Sequence, residues 1–147
     1  MRIFAIDPGT VESGWCVYDT DRKRVQQCGI NPNREILEAI KRGGAELLAI
    51  EMVASYGMPV GREVFETVWW IGRFTQAWRE PEAVRLVYRR DVKMWLCNDT
   101  RAKDGNIRQA LIDKLGPQGL KKTPGPTYGI KSHMWGALAV AVTVAKL

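Results

Sequence analysis

The chain has 147 residues, 46% hydrophobic and 26% charged, a composition that allows one domain over 1–147 with a proper buried core. No apolar run approaches the roughly 20 residues of a bilayer span, and an N-terminal apolar stretch broken at Asp7 is no signal peptide, so a cytoplasmic protein is expected. Three cysteines without a Cys-x-x-Cys pair and a single histidine exclude an ordinary zinc finger, while 22 Lys and Arg against 16 Asp and Glu favour a polyanionic partner.

Arg2-Ile3-Phe4-Ala5-Ile6-Asp7 reads as a strand, Pro8-Gly9 as a tight turn, and 13–19 as a second strand. Asp19-Thr20-Asp21-Arg22-Lys23 supplies a polar hairpin into a third strand over 24–30. A helix over about 33–42 follows, opened by Asn31-Pro32-Asn33, with Ile36, Leu37 and Ile40 as its buried stripe and Gly43-Gly44 as its stop. The fourth strand, 46–51, is almost wholly apolar, as a strand covered on both faces must be. Ser55-Tyr56-Gly57-Met58-Pro59 then leads to a long helix over about 61–79, with Val64, Phe65, Val68, Trp69, Ile71, Gly72 and Phe74 as a wide apolar face. An edge-like strand over 84–88 is followed by helices over 90–97 and 104–115, started by Asp91 and Asp104. The Pro/Gly/Lys loop 117–129 has a length usually reserved for functional or mobile segments, and the Ala/Val/Leu-rich tail over about 131–146 reads as a core helix. The order is α/β, with an antiparallel half and a parallel half.

Asp7 and Glu51 each end an apolar strand. A buried strand holds a carboxylate rigidly, and Pro8-Gly9 leaves an open position beside the first. Two such strands would deliver two oxygen ligands to one place, which is what Mg²⁺ requires. The plainer readings are a cap for the Pro-Gly turn (Asp7) and a surface residue at a strand end (Glu51). Together the two residues favour the ligand reading.

Four motifs occur in order: Asp7-Pro8-Gly9 with Gly14; Ala49-Ile50-Glu51 with Phe65 in a long helix; Thr100-Arg101-Ala102-Lys103-Asp104 with Ile107; and His133-Met134-Trp135-Gly136-Ala137-Leu138-Ala139. In them the chain resembles the ribonuclease H-like superfamily and, within it, the RuvC-type Holliday-junction resolvases, small phage-encoded versions in particular. The resemblance implies a mixed five-stranded sheet, three antiparallel strands then two parallel, flanked by helices. It implies an endonuclease that resolves four-way or branched DNA by paired symmetric nicks, using two Mg²⁺ ions per site (Mn²⁺ able to substitute) and no small-molecule cofactor. It also implies a homodimer that matches the two-fold symmetry of the junction. A phage origin would place the protein in the host-cell cytoplasm.

On this resemblance Asp7 would be shared by the two ions, Glu51 would bind one, and His133 would ligate the other or orient the attacking water. The family's last helix carries a carboxylate or His and then an Asp three residues on; here those places hold His133 and Gly136. Asp104, equally suited to be a helix N-cap, is the first candidate to complete the site, and Asp113 the second. A ribonuclease acting on RNA and a catalytically defective junction-binding protein are the alternatives, the latter motivated by Gly136.

Arg62, Arg73, Arg89, Arg90, Lys93, Arg101, Lys103, Lys121, Lys122 and Lys131 flank the acidic residues in sequence and would neutralise backbone phosphates. Tyr56 would either stack on an unpaired base near the crossover or pack on its own scaffold. Trp69 and Trp70 are adjacent and cannot both face one core, so one of them lies at a subunit interface or packs against the sheet or a neighbouring helix; the 61–79 helix, apolar on more than one face, is expected to carry the dimer contact.

Overall fold

In a computed structural model, which describes residues 1–146, five strands form one sheet in the order β3-β2-β1-β4-β5. They are β1 (Arg2–Asp7), β2 (Glu12–Asp19), β3 (Arg24–Pro32), β4 (Leu47–Met52) and β5 (Arg85–Tyr88). β1, β2 and β3 run antiparallel as a meander, whereas β4 lies parallel to β1 and β5 parallel to β4. This is the expected mixed sheet, with β5 at an edge. The helices are α1 (Asn33–Arg42), α2 (Arg62–Ala77), α3 (Arg89–Cys97), α4 (Asp104–Leu115) and α5 (His133–Ala145). Among the described residues, no helix is long and apolar enough to cross a membrane.

Strand alternation sorts the apolar side chains into two cores. Phe4, Ile6, Leu48 and Ile50 pack with the buried residues of α1 and α2. Ile3, Ala5, Ala49 and Val87 pack on the opposite face with α3, α4 and α5. α5 is apolar all round and accordingly interior, with Met134, Trp135 and the residues from Ala137 to Val142 buried. Each large aliphatic side chain buried there contributes roughly 1.5–3 kcal/mol relative to exposure, so α5 is pinned to the sheet along its length.

Four elements differ from the sequence expectation. β3 continues to Pro32 because Ser13–Asn31 and Glu12–Pro32 extend its ladder with β2. α2 buries only Thr67, Ile71 and Phe74, leaving Phe65 and Trp69 at 65% and 62% exposure. α3 starts at Arg89, directly after β5, so Asp91 lies inside the first turn, where its charge suits the helix dipole. α4 starts at Asp104 with Lys103 as N-cap residue; Asn106 Oδ1 accepts the Lys103 N–H at 2.9 Å and does the capping that Asp104 was expected to do.

The 117–129 loop is built rather than loose. Leu120 and Thr123 exchange backbone hydrogen bonds of 3.1 and 3.0 Å, making a small hairpin with Lys121 and Lys122 at its tip. Its base is anchored by the buried Thr127, whose hydroxyl donates to the Gly116 carbonyl at 2.9 Å.

Candidate active site

Ile6 lies opposite Ile50 on the parallel pair β1–β4, and both side chains enter the α1/α2 core. The next residue on each strand turns to the other face. Asp7 and Glu51 therefore emerge side by side at the carboxyl ends of the parallel strands, where open α/β sheets place their ligand sites. Both line a cavity of about 640 Å³, together with Arg89, Asp104, Arg108 and His133.

The turn after Asp7 is locked by a closed ring of hydrogen bonds. The Gly9 N–H donates to Ser13 Oγ at 3.1 Å, the Ser13 hydroxyl to Asn33 Oδ1 at 2.6 Å, and Asn33 Nδ2 to the Gly9 carbonyl at 2.9 Å. Ser13 and Asn33 are both buried, so the ring replaces water contacts that these groups would otherwise lose. Ser13 was not singled out from sequence, and Asn33 only as part of a helix start. They lie twenty positions apart.

His133 is the first residue of α5 and is seated by Gly14, the residue paired with Asp7 on β2. A Cβ at Gly14 would stand 2.4 Å from the His133 carbonyl oxygen, so only glycine lets the helix start come this close. The seat puts His133 Nδ1 3.2 Å from Asp7 Oδ2. The residue before it, Ser132, holds φ at 52°, a conformation costly for a residue with a side chain, so the entry into α5 is strained.

Glu51 is 8% exposed. Burial pushes its carboxyl up to about 7, the charge of Asp7 adds to the rise, and the Arg89 guanidinium opposes it. Arg89 Nη1 donates to Glu51 Oε1 at 3.4 Å and Nη2 to Asp104 Oδ1. The other buried carboxylate, Asp19, is the contrasting case. Hydrogen bonds from the Arg22 backbone and guanidinium hold it down at about 2, as befits a structural clasp for the β2–β3 turn. Glu51 is the carboxylate the fold leaves under electrostatic tension.

A half-buried and a buried carboxylate, Asp7 and Glu51, close together beside an imidazole are a donor set suited to a hard divalent cation. A cation would also relieve the repulsion that raises Glu51. Among the described residues, no three His, Cys, Asp or Glu side chains already stand in a coordinating arrangement, since Glu51 is engaged with Arg89 and Asp7 with His133. The donors fit, and their present partners would have to yield.

Gly136 stands where the resemblance implied an Asp, and the structure leaves no room for a side chain there. A Cβ there would lie 2.3 Å from Asp7 Oδ2, so the Asp7 carboxylate occupies the space a side chain would need. Gly136→Ala should therefore push Asp7 away from His133 and, if the cavity holds a divalent cation, weaken Mn²⁺ binding at least about tenfold, as for the loss of a positioning contact at a metal site. Titration calorimetry checks this; unchanged affinity would show that Asp7 moves freely.

The remaining candidates scatter. Asp113 is exposed, accepts from Gln109 Nε2 at 2.9 Å and does not line the cavity. Arg62 pairs with Glu66 at 2.6 Å beside a separate apolar groove formed with Phe65 and Trp69. Lys93 is half-buried on α3, Arg101 and Lys103 are exposed before α4, and Lys131 is exposed two residues before His133. Tyr56 is exposed at the tip of a turn in which it and Gly57 both have positive φ. The cations that reach the cavity are Arg89 and Arg108. Arg108 was not singled out, although its spacing from Asp104 places both on one helix face.

No protein-family model matches this chain, and no curated protein matches it. Solved structures do. Thermus thermophilus RuvC superposes with a TM-score of 0.73 at 23% identity, covering 99% of this chain and 94% of that one. The chain has the RuvC fold. T. thermophilus RuvC in complex with Holliday junction substrate gives a TM-score of 0.70 at 22% identity, covering 97% and 92%. Because nearly all of both chains is included, the likeness to RuvC extends over both halves of the sheet and the helices on each side.

Proposed function

We propose that the protein is a divalent-metal-dependent endonuclease that resolves four-way or branched DNA junctions by paired, symmetric nicks. The observation that carries this reading is the meeting of Asp7, Glu51 and His133, from three separate elements, in one cavity flanked by Arg89 and Arg108. A fold shared with a RuvC solved on Holliday junction substrate supports the choice of DNA. Two ions would be held with Asp7 shared, Glu51 on one and His133 on the other; bound there they supply an activated water and neutralise charge on the attacking and leaving oxygens. His133 Nδ1 faces Asp7, which orients the ring and leaves Nε2 free to bind or to steer the water. Arg108, with Lys103 next to Asp104 and Lys131 two residues before His133 in the chain, would neutralise phosphates, and Tyr56 would stack on an unpaired base. The products are 5′-phosphate and 3′-hydroxyl ends.

Labelled four-way junction, linear duplex and hairpin RNA, each with Mg²⁺ or Mn²⁺, test the reading. Symmetric nicks confined to the junction are expected. Cleavage of the RNA would assign a ribonuclease instead, and binding without cutting would assign a junction-binding protein.

Paired nicks call for a homodimer, and α2 offers the surface. Phe65, Val68, Trp69 and Gly72 share one exposed face, and no atom lies within 4 Å of a Cβ built at Gly72, so a second helix can approach closely. The double variant Phe65→Ser/Trp69→Ser should reduce the light-scattering mass from twice 16.6 kDa to 16.6 kDa and turn paired nicks into single ones. A dimer that persists would place the contact elsewhere.

A further inference from the structure

Arg89 touches two carboxylates of the cavity at once, Glu51 through Nη1 and Asp104 through Nη2. Its position is set by the backbone. It follows the last residue of β5, whose Val87 lies opposite Glu51 in the sheet. The two partners differ in kind: the Glu51 side chain is 11% exposed and the Asp104 side chain 86%, with Arg89 between them at 38%. The guanidinium thus reaches from a buried acid at the inner end to a solvated acid at the rim.

A divalent cation shared by Asp7 and Glu51 would draw on the same carboxylate that Arg89 now contacts, and two cations held against one carboxylate repel. At 3.4 Å that contact is at the long end of hydrogen bonding and is readily given up. Asp104 offers Arg89 a second hold that does not depend on Glu51. We infer that Arg89 is the chain's own counter-cation for Glu51, exchanged for a divalent ion at that carboxylate, and that Asp104 keeps the released guanidinium over the cavity, where it meets the scissile phosphate. This rests on the metal-nuclease reading above. A planar guanidinium pairs with phosphate through two parallel hydrogen bonds, so one side chain serves both partners by rotation alone. Asp104 then acts through Arg89 and is a positioning residue, not a ligand.

Calorimetric titration of Mn²⁺ into the purified protein without DNA separates these roles. Arg89→Met should bind Mn²⁺ about tenfold tighter than the parent, and Arg89→Lys, which keeps the charge, should return to within about threefold of it. Asp104→Asn should weaken binding only a few-fold, by leaving Arg89 to Glu51 alone, and the double variant Arg89→Met/Asp104→Asn should match Arg89→Met within about twofold. In nicking at saturating Mn²⁺, Arg89→Met should lose kcat and Arg89→Lys should recover part of it. Circular dichroism melts in chelator establish that each variant is folded. Binding by Arg89→Met no tighter than the parent would overturn the inference, as would a double variant far weaker than Arg89→Met, which would make Asp104 a ligand. Mn²⁺ uptake that is absent, or unaffected by Asp7→Asn, would remove the metal reading itself; uptake that needs Asp7 but ignores Arg89 would remove only this one.

Discussion

Asp7→Asn should lower junction nicking by at least about a thousandfold, the several kcal/mol of transition-state stabilisation that metal assistance supplies, while the protein stays folded. The substitution keeps the shape of the side chain and removes its charge. Nothing in the scaffold depends on that charge: the turn after Asp7 is held by the Gly9–Ser13–Asn33 ring, and the helix start by Gly14. Asp7 does, however, face both His133 and Glu51, so it is the one side chain through which both proposed ions are shared. Single-turnover nicking with Mn²⁺, beside a thermal melt, separates the two effects. A variant that cuts at the parent rate would remove Asp7 from the chemistry.

Glu51→Gln should abolish nicking and yet stabilise the protein in chelator at alkaline pH. The sign follows from linkage. In the folded protein Glu51 is raised from 4.5 to about 7 by burial and by Asp7. Between those values the folded state holds a proton that the unfolded state has lost, so this contribution is full below the unfolded value and disappears as pH rises through 7. The decline between pH 5 and 8 is on the order of 2–3 kcal/mol, which for a chain of this size is about 5–10 °C in Tm. Gln cannot ionise, so the variant should melt at a nearly constant temperature over that range and above the parent at pH 8. Mn²⁺ should reverse the trend in the parent only, because a cation competes with the proton for the carboxylate. Parallel pH profiles for parent and variant would show that Glu51 is not the buried acid described here.

Glu51→Gln and Asp7→Asn concern residues that could be read directly from the chain. An apolar run that stops at a carboxylate announces a strand that delivers that carboxylate at its end, and 2–7 and 46–51 both have that form. The all-apolar tail announced α5, and with it the neighbourhood of His133. What escaped were features decided across the sheet. Gly14 and Gly136 owe their identity to His133 and Asp7, residues more than a hundred positions away, and no local pattern records such a contact. Ser13 and Asn33 look like ordinary turn and helix-start residues until the turn folds between them. The start of α3 was sought at Asp91, but Arg89 follows β5 without a break, and the reach of Arg89 to Asp104 spans fifteen positions. The apolar face of α2 was visible in its periodicity, but pattern alone could not say that Phe65 and Trp69 face outward. The basic residues could be counted from the chain but not placed: of those named from sequence, Arg89 lines the cavity, while Arg62 pairs with Glu66 on α2.

On the proposed reading, Asp7 and Glu51 share a divalent cation with His133 at its side. Anomalous scattering from Mn²⁺-soaked crystals measures this most directly. A peak is expected about 2.1 Å from carboxylate oxygens of both Asp7 and Glu51, with a second between Asp7 and His133 and Arg89 turned away from Glu51. Density for Mn²⁺ elsewhere on the protein, with Arg89 still on Glu51 and no peak in the cavity, would contradict it.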